Sequence, residues 1–312
     1  MKIIEILRLE SLSREPMIIN GYHFKGSNKQ APDIAIVGAM EGETILPLYV
    51  ASSLVDFLNN QLDAKRILGN ILIIPSINHY ALNIRERFWP LDKTNLNMMF
   101  PGYAQGETTQ RITKKLFDTI QGYTYGISLE TRQDPLSCVA HIALFQSGYE
   151  DIEGAKSFGF DFLYHKPLSS IDTVSLQYNW QLWESKAYSL ICPSDTQVNT
   201  NNAQSILHGI LRFLSHHAII DYHMFGGAQS HIITRDQIEI VKTPRSGIFV
   251  PQHTVGTYVT QGEILGTIIH ALEGSMIHRF EAPCDGVITC INKHSLIYEK
   301  AVAFRMARSG CY

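Results

Sequence analysis

One stretch limits what this chain can become: Ile34-Ala35-Ile36-Val37-Gly38-Ala39-Met40-Glu41-Gly42-Glu43-Thr44, with residues 45–59 behind it. Ile34, Ile36 and Val37 form a short apolar run suited to a strand buried on both faces. Gly38 and Gly42 allow a sharp turn. Leu48, Ser52, Val55 and Leu58 then recur at helical spacing. A buried strand, a tight acidic turn and an amphipathic helix predict an open α/β sheet. In such sheets, ligand sites lie at the carboxyl ends of strands. Glu41 and Glu43 are therefore expected to look into a cleft, the alternative being a solvated turn that carries two acids.

Residues 2–8 and 17–24 read as strands. Ile71 to Asn78 is a second buried strand, so it and the first form a parallel pair with a right-handed crossover. Residues 79–107 show little regular pattern and contain Asn83, Arg85, Arg87, Asp92, Asn95 and Asn97. Long ordered loops of this kind tend to carry function. A helix is predicted over 108–120, with Thr108 or Thr109 near its N-cap. Strands follow at 125–130, 139–145, 160–164 and 187–192, with a short helix at 152–158 and an amphipathic helix at 200–215. From Asp236 onward short alternating runs are separated by Ser246-Gly247, Val255-Gly256, Gln261-Gly262, Leu265-Gly266, Glu273-Gly274 and Asp285-Gly286. That spacing predicts a small all-β module. The expected division is 1–240 for the α/β part and 241–312 for the β-rich part.

With 312 residues, 45% of them apolar, the chain can bury a full core. The formal charge is −3, and no long Lys/Arg run is present, which argues against nucleic acid or an anionic membrane as partner. No apolar run approaches the roughly 18 residues of a membrane span, and the first residues lack a signal-peptide core. Cys138, Cys192, Cys284, Cys290 and Cys311 are scattered, with no C-x-x-C pair. They read as free thiols of a cytoplasmic protein.

Common catalytic signatures are missing: no H-E-x-x-H, no G-x-S-x-G elbow and no P-loop. His278 and Glu281 form an isolated H-x-x-E on a predicted strand, read as coincidence. His216 and His217 at a helix end read as a C-terminal cap. What remains is positional. Three strand ends offer Glu41 and Glu43, then Asn78, then Glu130, and the loop adds Arg85, Arg87 and Asn97. Such a set suits a metal, a cationic ligand, or an internal network in which the arginines neutralise the acids.

This order of features resembles the succinylglutamate desuccinylase/aspartoacylase family of the zinc carboxypeptidase superfamily, over roughly residues 30 to 310. The family's first strand ends in His-Gly-x-Glu, which supplies two zinc ligands; here the matching tetrad is Glu41-Gly42-Glu43-Thr44. Its Asn-Pro, the Arg beyond it and Asp-Leu-Asn-Arg-x-Phe-Pro-Gly correspond to Asn78-His79, Arg87 and Asn95-Leu96-Asn97-Met98-Met99-Phe100-Pro101-Gly102. Its Asp-Leu-His-Thr, source of the third ligand, corresponds to Ser128-Leu129-Glu130-Thr131. Glu281 to Val287 resembles the family's Ala-Pro-x-Asp-Gly turn. That turn is shared with biotinyl and lipoyl modules, but the attachment lysine is absent.

The resemblance implies a mixed, largely parallel twisted sheet flanked by helices, zinc carboxypeptidase-like, with a smaller C-terminal β module. It implies a metal-dependent hydrolase (deacylase) of small N-acyl amino acids. Arg87 would be catalytic, polarising the carbonyl. Asn78, Asn97 and Arg85 would bind substrate. Glu41, Thr44 and Glu130, with Glu43 beside them, would stand where zinc is held. The departures concern the chemistry. Glutamates replace both histidines, Met98 replaces the arginine that holds the substrate carboxylate, and no acid stands near Ile191, where the general base belongs. Zinc favours imidazole and thiolate. The expected cofactor is therefore none, or a hard divalent ion in place of zinc. Two readings follow: a hydrolase of this family with an altered centre, or a non-catalytic relative that binds a small molecule or partner in the same cleft.

Overall fold

A computed structural model describes residues 1–312 apart from 14, 133, 195, 196, 311 and 312. Its core is a nine-stranded mixed sheet. In chain order the strands are β1 (Lys2–Leu9), β2 (Met17–Phe24), β3 (Ile34–Ala39), β4 (Ile71–Ser76), β5 (Tyr125–Thr131), β7 (His141–Gln146), β8 (Phe162–Pro167), β9 (Lys186–Cys192) and β10 (His231–Ile233). A short strand, β6 (Leu136–Cys138), lies outside this sheet. The spatial order is β1-β2-β4-β3-β5-β9-β7-β8-β10. β4, β3, β5 and β9 run parallel, and β7 meets β9 antiparallel.

All six residues of β3 are buried, because it sits between β4 and β5 with helices on both faces. α1 (Leu46–Asp56) starts with a proline in its first turn and buries Leu46, Val50, Ala51 and Leu54. It shares one apolar layer with α6 (Thr200–His216) through Ile206, Ile210 and Leu214. α3 (Thr108–Ile120) and α5 (Leu176–Leu182) cover the opposite face through Ile112, Leu116, Phe117, Leu176 and Trp180. Trp180 lies flat over Gly126 of β5, where a Cβ would fall 2.7 Å from the indole.

Several expectations are corrected at element ends. The predicted irregular loop opens with a helix, α2 (His79–Ile84), too short to show periodicity in sequence. Asn78 caps it, accepting from the Ala81 amide, and Arg85 ends it in the left-handed region with φ 54°. Gly42 is needed for close approach rather than for its turn: a Cβ there would lie 2.2 Å from the Ala81 carbonyl carbon. The N-cap of α3 is Glu107, whose amide donates to the Gln110 side chain. α5 carries no breaker-to-breaker pattern and was not expected. His217 ends α6 as its C-cap, but its ring packs on Tyr125 and Phe213.

The C-terminal strands are β11 (Ile238–Lys242), β12 (Gly247–Pro251), β13 (Tyr258–Val259), β14 (Ile264–Ile269), β15 (Met276–Glu281), β16 (Gly286–Asn292), β17 (Leu296–Ile297) and β18 (Val302–Arg308). They form two antiparallel sheets, β11-β18-β16-β13 and β15-β14-β12-β17. Phe249, Phe280 and Phe304 meet edge to face between them.

The strand expected over 139–145 is β7, which begins at His141, and the short strand ahead of it was not expected. β6 leaves the large sheet and pairs with β16 of the C-terminal module, placing Cys138 opposite Cys290. The two form a disulfide across 152 residues. This overturns the reading of all five cysteines as thiols: strand pairing between distant segments leaves no mark in local Cys spacing. Cys192 and Cys284 are free, and Cys311 lies outside the described residues. No helix among the described residues is long and apolar enough to cross a membrane.

Candidate functional site

A cavity of about 360 Å³ opens at the carboxyl ends of β3 and β5. Glu41, Glu130, Arg132, His141, Lys166 and Ser189 are among the residues that line it. Glu41 follows the end of β3, and Glu130 stands on the last turn of the pleat in β5. Each acid is met by its own set of donors.

Arg87 brings one guanidinium nitrogen to 3.3 Å from both Glu41 oxygens. The same nitrogen donates to the Arg132 carbonyl at 2.6 Å. Thr131 Oγ1 donates to Glu41 at 2.9 Å. Since that hydroxyl's one proton is committed, the 3.2 Å contact between Thr44 and Thr131 has Thr44 as donor. Burial pushes the Glu41 carboxyl up, while Arg87 and Thr131 pull it down; burial wins.

Among the described residues no cation is in contact with Glu130, and Lys166 acts on it only through space. Oε1 accepts from Ser128 Oγ at 2.5 Å and Ser189 Oγ at 2.9 Å, and Oε2 from Asn97 Nδ2 at 3.1 Å. Ser128 and Ser189 are register partners across β5 and β9, 3.2 Å apart at their hydroxyls. Ser189 also reaches Gln177 Oε1 at 3.1 Å, an orientation fixed because Gln177 Nε2 donates to the Ala143 carbonyl. Four oxygen–oxygen contacts thus share two hydroxyl protons, and a proton on Glu130 supplies a third. Burial pushes the Glu130 carboxyl up against the pull of Ser128 and Ser189, the same direction. Burial also holds His141 neutral, its imidazole brought down to about 4. His141 Nδ1 lies 2.8 Å from the Val139 carbonyl, which can only accept, so Nδ1 carries the proton and Nε2 is left as an acceptor.

The remaining predicted residues fall elsewhere. Glu43 is half exposed and turns to Lys293 at 3.8 Å, away from the cavity. Asn78 is fully buried and occupied in capping α2 and donating to the Met40 carbonyl. Arg85 is exposed at the end of α2. Asn97 lies in the lining, locked between Glu130 and the Leu176 amide. Ile191, at the position where a general base would belong, pairs in register with Glu130 and lines the cavity.

These side chains do not suit zinc. Among the described residues, no three His, Cys, Asp or Glu side chains gather to hold a metal ion. The lone pairs of Glu41 face a guanidinium and a hydroxyl, those of Glu130 face three neutral donors, and Thr44 points its proton at Thr131. A tetrahedral site needs imidazole or thiolate donors that are absent here.

Comparison with known proteins shows what the chain is similar to. The succinylglutamate desuccinylase/aspartoacylase catalytic domain matches residues 30–135, the segment that carries Glu41, Arg87, Asn97 and Glu130. Over that segment the resemblance to this family holds. A relative is the N-alpha-acetyl-L-2,4-diaminobutyric acid deacetylase of Halomonas elongata, 23% identical over 271 residues, covering 83% of this chain and 77% of that protein. In fold, the chain is similar to a succinylglutamate desuccinylase from a Silicibacter species (TM-score 0.81, 15% identity, 98% and 94% of the two chains). It is also similar to the product-bound ectoine utilization protein of Ruegeria pomeroyi (TM-score 0.78, 18% identity, 98% and 95%). The fold class expected from the resemblance is therefore the one observed.

Family motifs in sequence pointed to the acids and missed most of what surrounds them. Arg132, Asp134, Lys166, Gln177 and Ser189 carry no family signature. Only Ser128 had a local signal, since it stands two residues from Glu130 on the same face of one strand. Lys166, on β8, is bound by Asp172 at 3.1 Å and lies 4.5 Å over the Phe145 ring.

Proposed function

We propose that this chain is a divergent relative of the family that binds a small N-acyl amino acid or related conjugate in the cavity and does not hydrolyse it by the family's zinc chemistry. One observation carries the reading: the Arg87 guanidinium sits on Glu41 while Glu130 is satisfied by Ser128, Ser189 and Asn97. An acid held by an arginine, and a second acid that burial favours as neutral, are poor metal ligands. Asn97 and the cavity face of Glu130 would meet polar groups of the ligand. Arg87, the position that polarises the carbonyl in the family, here serves Glu41. A partner of small-molecule class, a division near residue 240 and a cytoplasmic setting belong to the same reading. The Cys138–Cys290 disulfide removes the cysteine argument for the last of these.

The second reading is a hydrolase organised by a hard divalent ion at Glu41, Glu130 and Glu43; the resemblance to the family favours it, and Glu43 would have to leave Lys293. Elemental analysis after dialysis against zinc, manganese and magnesium separates the two. The expected result is well below one metal per chain, with no metal-dependent release of acetate from N-acetyl amino acids. Stoichiometric metal that is lost in Glu130→Gln, together with hydrolysis that is lost with it, would overturn the proposal.

A further inference from the structure

Beside the main cavity lies a side pocket of about 30 Å³ at the seam between the large sheet and the C-terminal module. Arg132, His141 and Tyr164 line both spaces, so one opens beside the other. The far wall is Arg305 of β18. Arg132 forks onto Asp134, Nε to Oδ1 at 2.8 Å and a terminal nitrogen to Oδ2 at 2.6 Å. A terminal nitrogen of Arg305 reaches the same Oδ2 at 3.1 Å. Among the described residues, two guanidiniums therefore share this one carboxylate. Arg305 Nε is buried and, among the described residues, has no hydrogen-bond partner, an expensive omission for a charged donor. Elsewhere in the cavity the charges balance: Arg87 with Glu41, Lys166 with Asp172. Met98 also lines the main cavity, so the position matching the family's carboxylate-binding arginine offers no charge.

We propose that the side pocket is an anion subsite in which Arg305, with Arg132, receives a carboxylate of the ligand. The size fits this use: the space takes a carboxylate or a water or two, not a separate molecule. The chemistry fits as well, because a planar guanidinium pair matches a flat two-oxygen head group. Burial and the neighbouring Arg132 charge both work against the Arg305 cation, and an incoming anion relieves both. His141 is neutral and does not compete for the head group. The C-terminal module thereby supplies a specificity-determining residue to a cavity built by the other sheet. This inference rests on the reading that the main cavity holds a small ligand.

The test is calorimetric titration of the full chain with succinate, its monoamide and its diamide. Succinate and the monoamide should bind about tenfold or more tighter than the diamide, the gap expected for a charge-assisted pair. Arg305→Gln should remove that gap and leave diamide binding alone, and Arg305→Lys should keep part of it, with folding followed by circular dichroism in each. Met98→Trp, which fills the main cavity, should weaken all three probes. If Arg305→Gln binds every probe as wild type does while Met98→Trp does not, the subsite is overturned and the cavity reading stands. If Arg305→Gln loses the carboxylate preference while Met98→Trp changes nothing, the subsite stands and the cavity reading falls. No binding of any probe by wild type overturns the subsite.

Discussion

The floor of the cavity and the seam beside it treat charge in opposite ways. At the floor, two acids stand on neighbouring strand ends, and each is quenched separately: Glu41 by Arg87, Glu130 by three neutral donors and a favoured proton. At the seam, Arg132 and Arg305 converge, among the described residues, on the single carboxylate of Asp134. Burial would raise the Asp134 carboxyl, but the hydrogen bond and charge of Arg132 outweigh it and the group ends lower than usual. Each acid of the floor has donors of its own, whereas at the seam, among the described residues, two guanidiniums share one carboxylate. The ratio of acids to cations thus separates the two regions.

The largest effect should come from breaking the floor. Arg87 and Glu41 are mostly shielded, with side-chain exposures of 19% and 13%. Arg87→Met should destabilise the chain by about 4 kcal/mol, since it strands a buried carboxylate. Adding Glu41→Gln should restore most of that, as measured by denaturant unfolding of the single and double variants. Equal losses in both would show that Arg87 acts through packing instead. Next comes the fastening of the seam. Replacing Cys138 and Cys290 by serine should cost about 3 kcal/mol, because the bond closes a very long loop in the unfolded chain. Thiol titration of the unfolded wild type without reductant should find two fewer thiols than cysteines, and a full count would sink the disulfide.

The smallest effect is the subtlest check on the floor. Burial raises the Glu130 carboxyl above its ordinary 4.5. The folded chain then keeps a proton that the unfolded chain releases, and unfolding is favoured as pH rises. The stability this confers is whole below the ordinary range and is lost as pH climbs through the folded value. Glu130→Gln is neutral throughout, so its stability relative to wild type should increase with pH over that interval. A flat difference would mean that Glu130 is ionised in the fold. Serines can accept from the new amide, so little loss is expected at low pH.

Much of the frame was legible in the sequence because it depends on local pattern. The apolar run at Ile34 to Val37 gives the central strand, and turn spacing after Asp236 gives the β module. The resemblance drew attention to Glu41, Arg87, Asn97 and Glu130; three of them line the cavity, and Arg87 rests on Glu41. Direction of a side chain was not legible. Glu43 is two residues from Glu41, yet the turn sends it toward Lys293 from the distant module. Arg85 looked equivalent to Arg87 and instead ends a helix in the left-handed region. Long-range partners were equally hidden: nothing near Arg132 in sequence announces Arg305, and nothing near Cys138 announces Cys290.

β6 has an architectural consequence. It is three residues long, lies between Asp134 and His141, and hydrogen-bonds to β16. The polypeptide therefore dips into the second unit midway through building the first, and emerges to continue it. A gene trimmed at residue 240 would encode every strand of the large sheet, yet leave β6 with an open edge and its cysteine without a mate. Excision of the tail should therefore disturb the cavity wall itself, and grafting a relative's tail should require bringing the matching strap along.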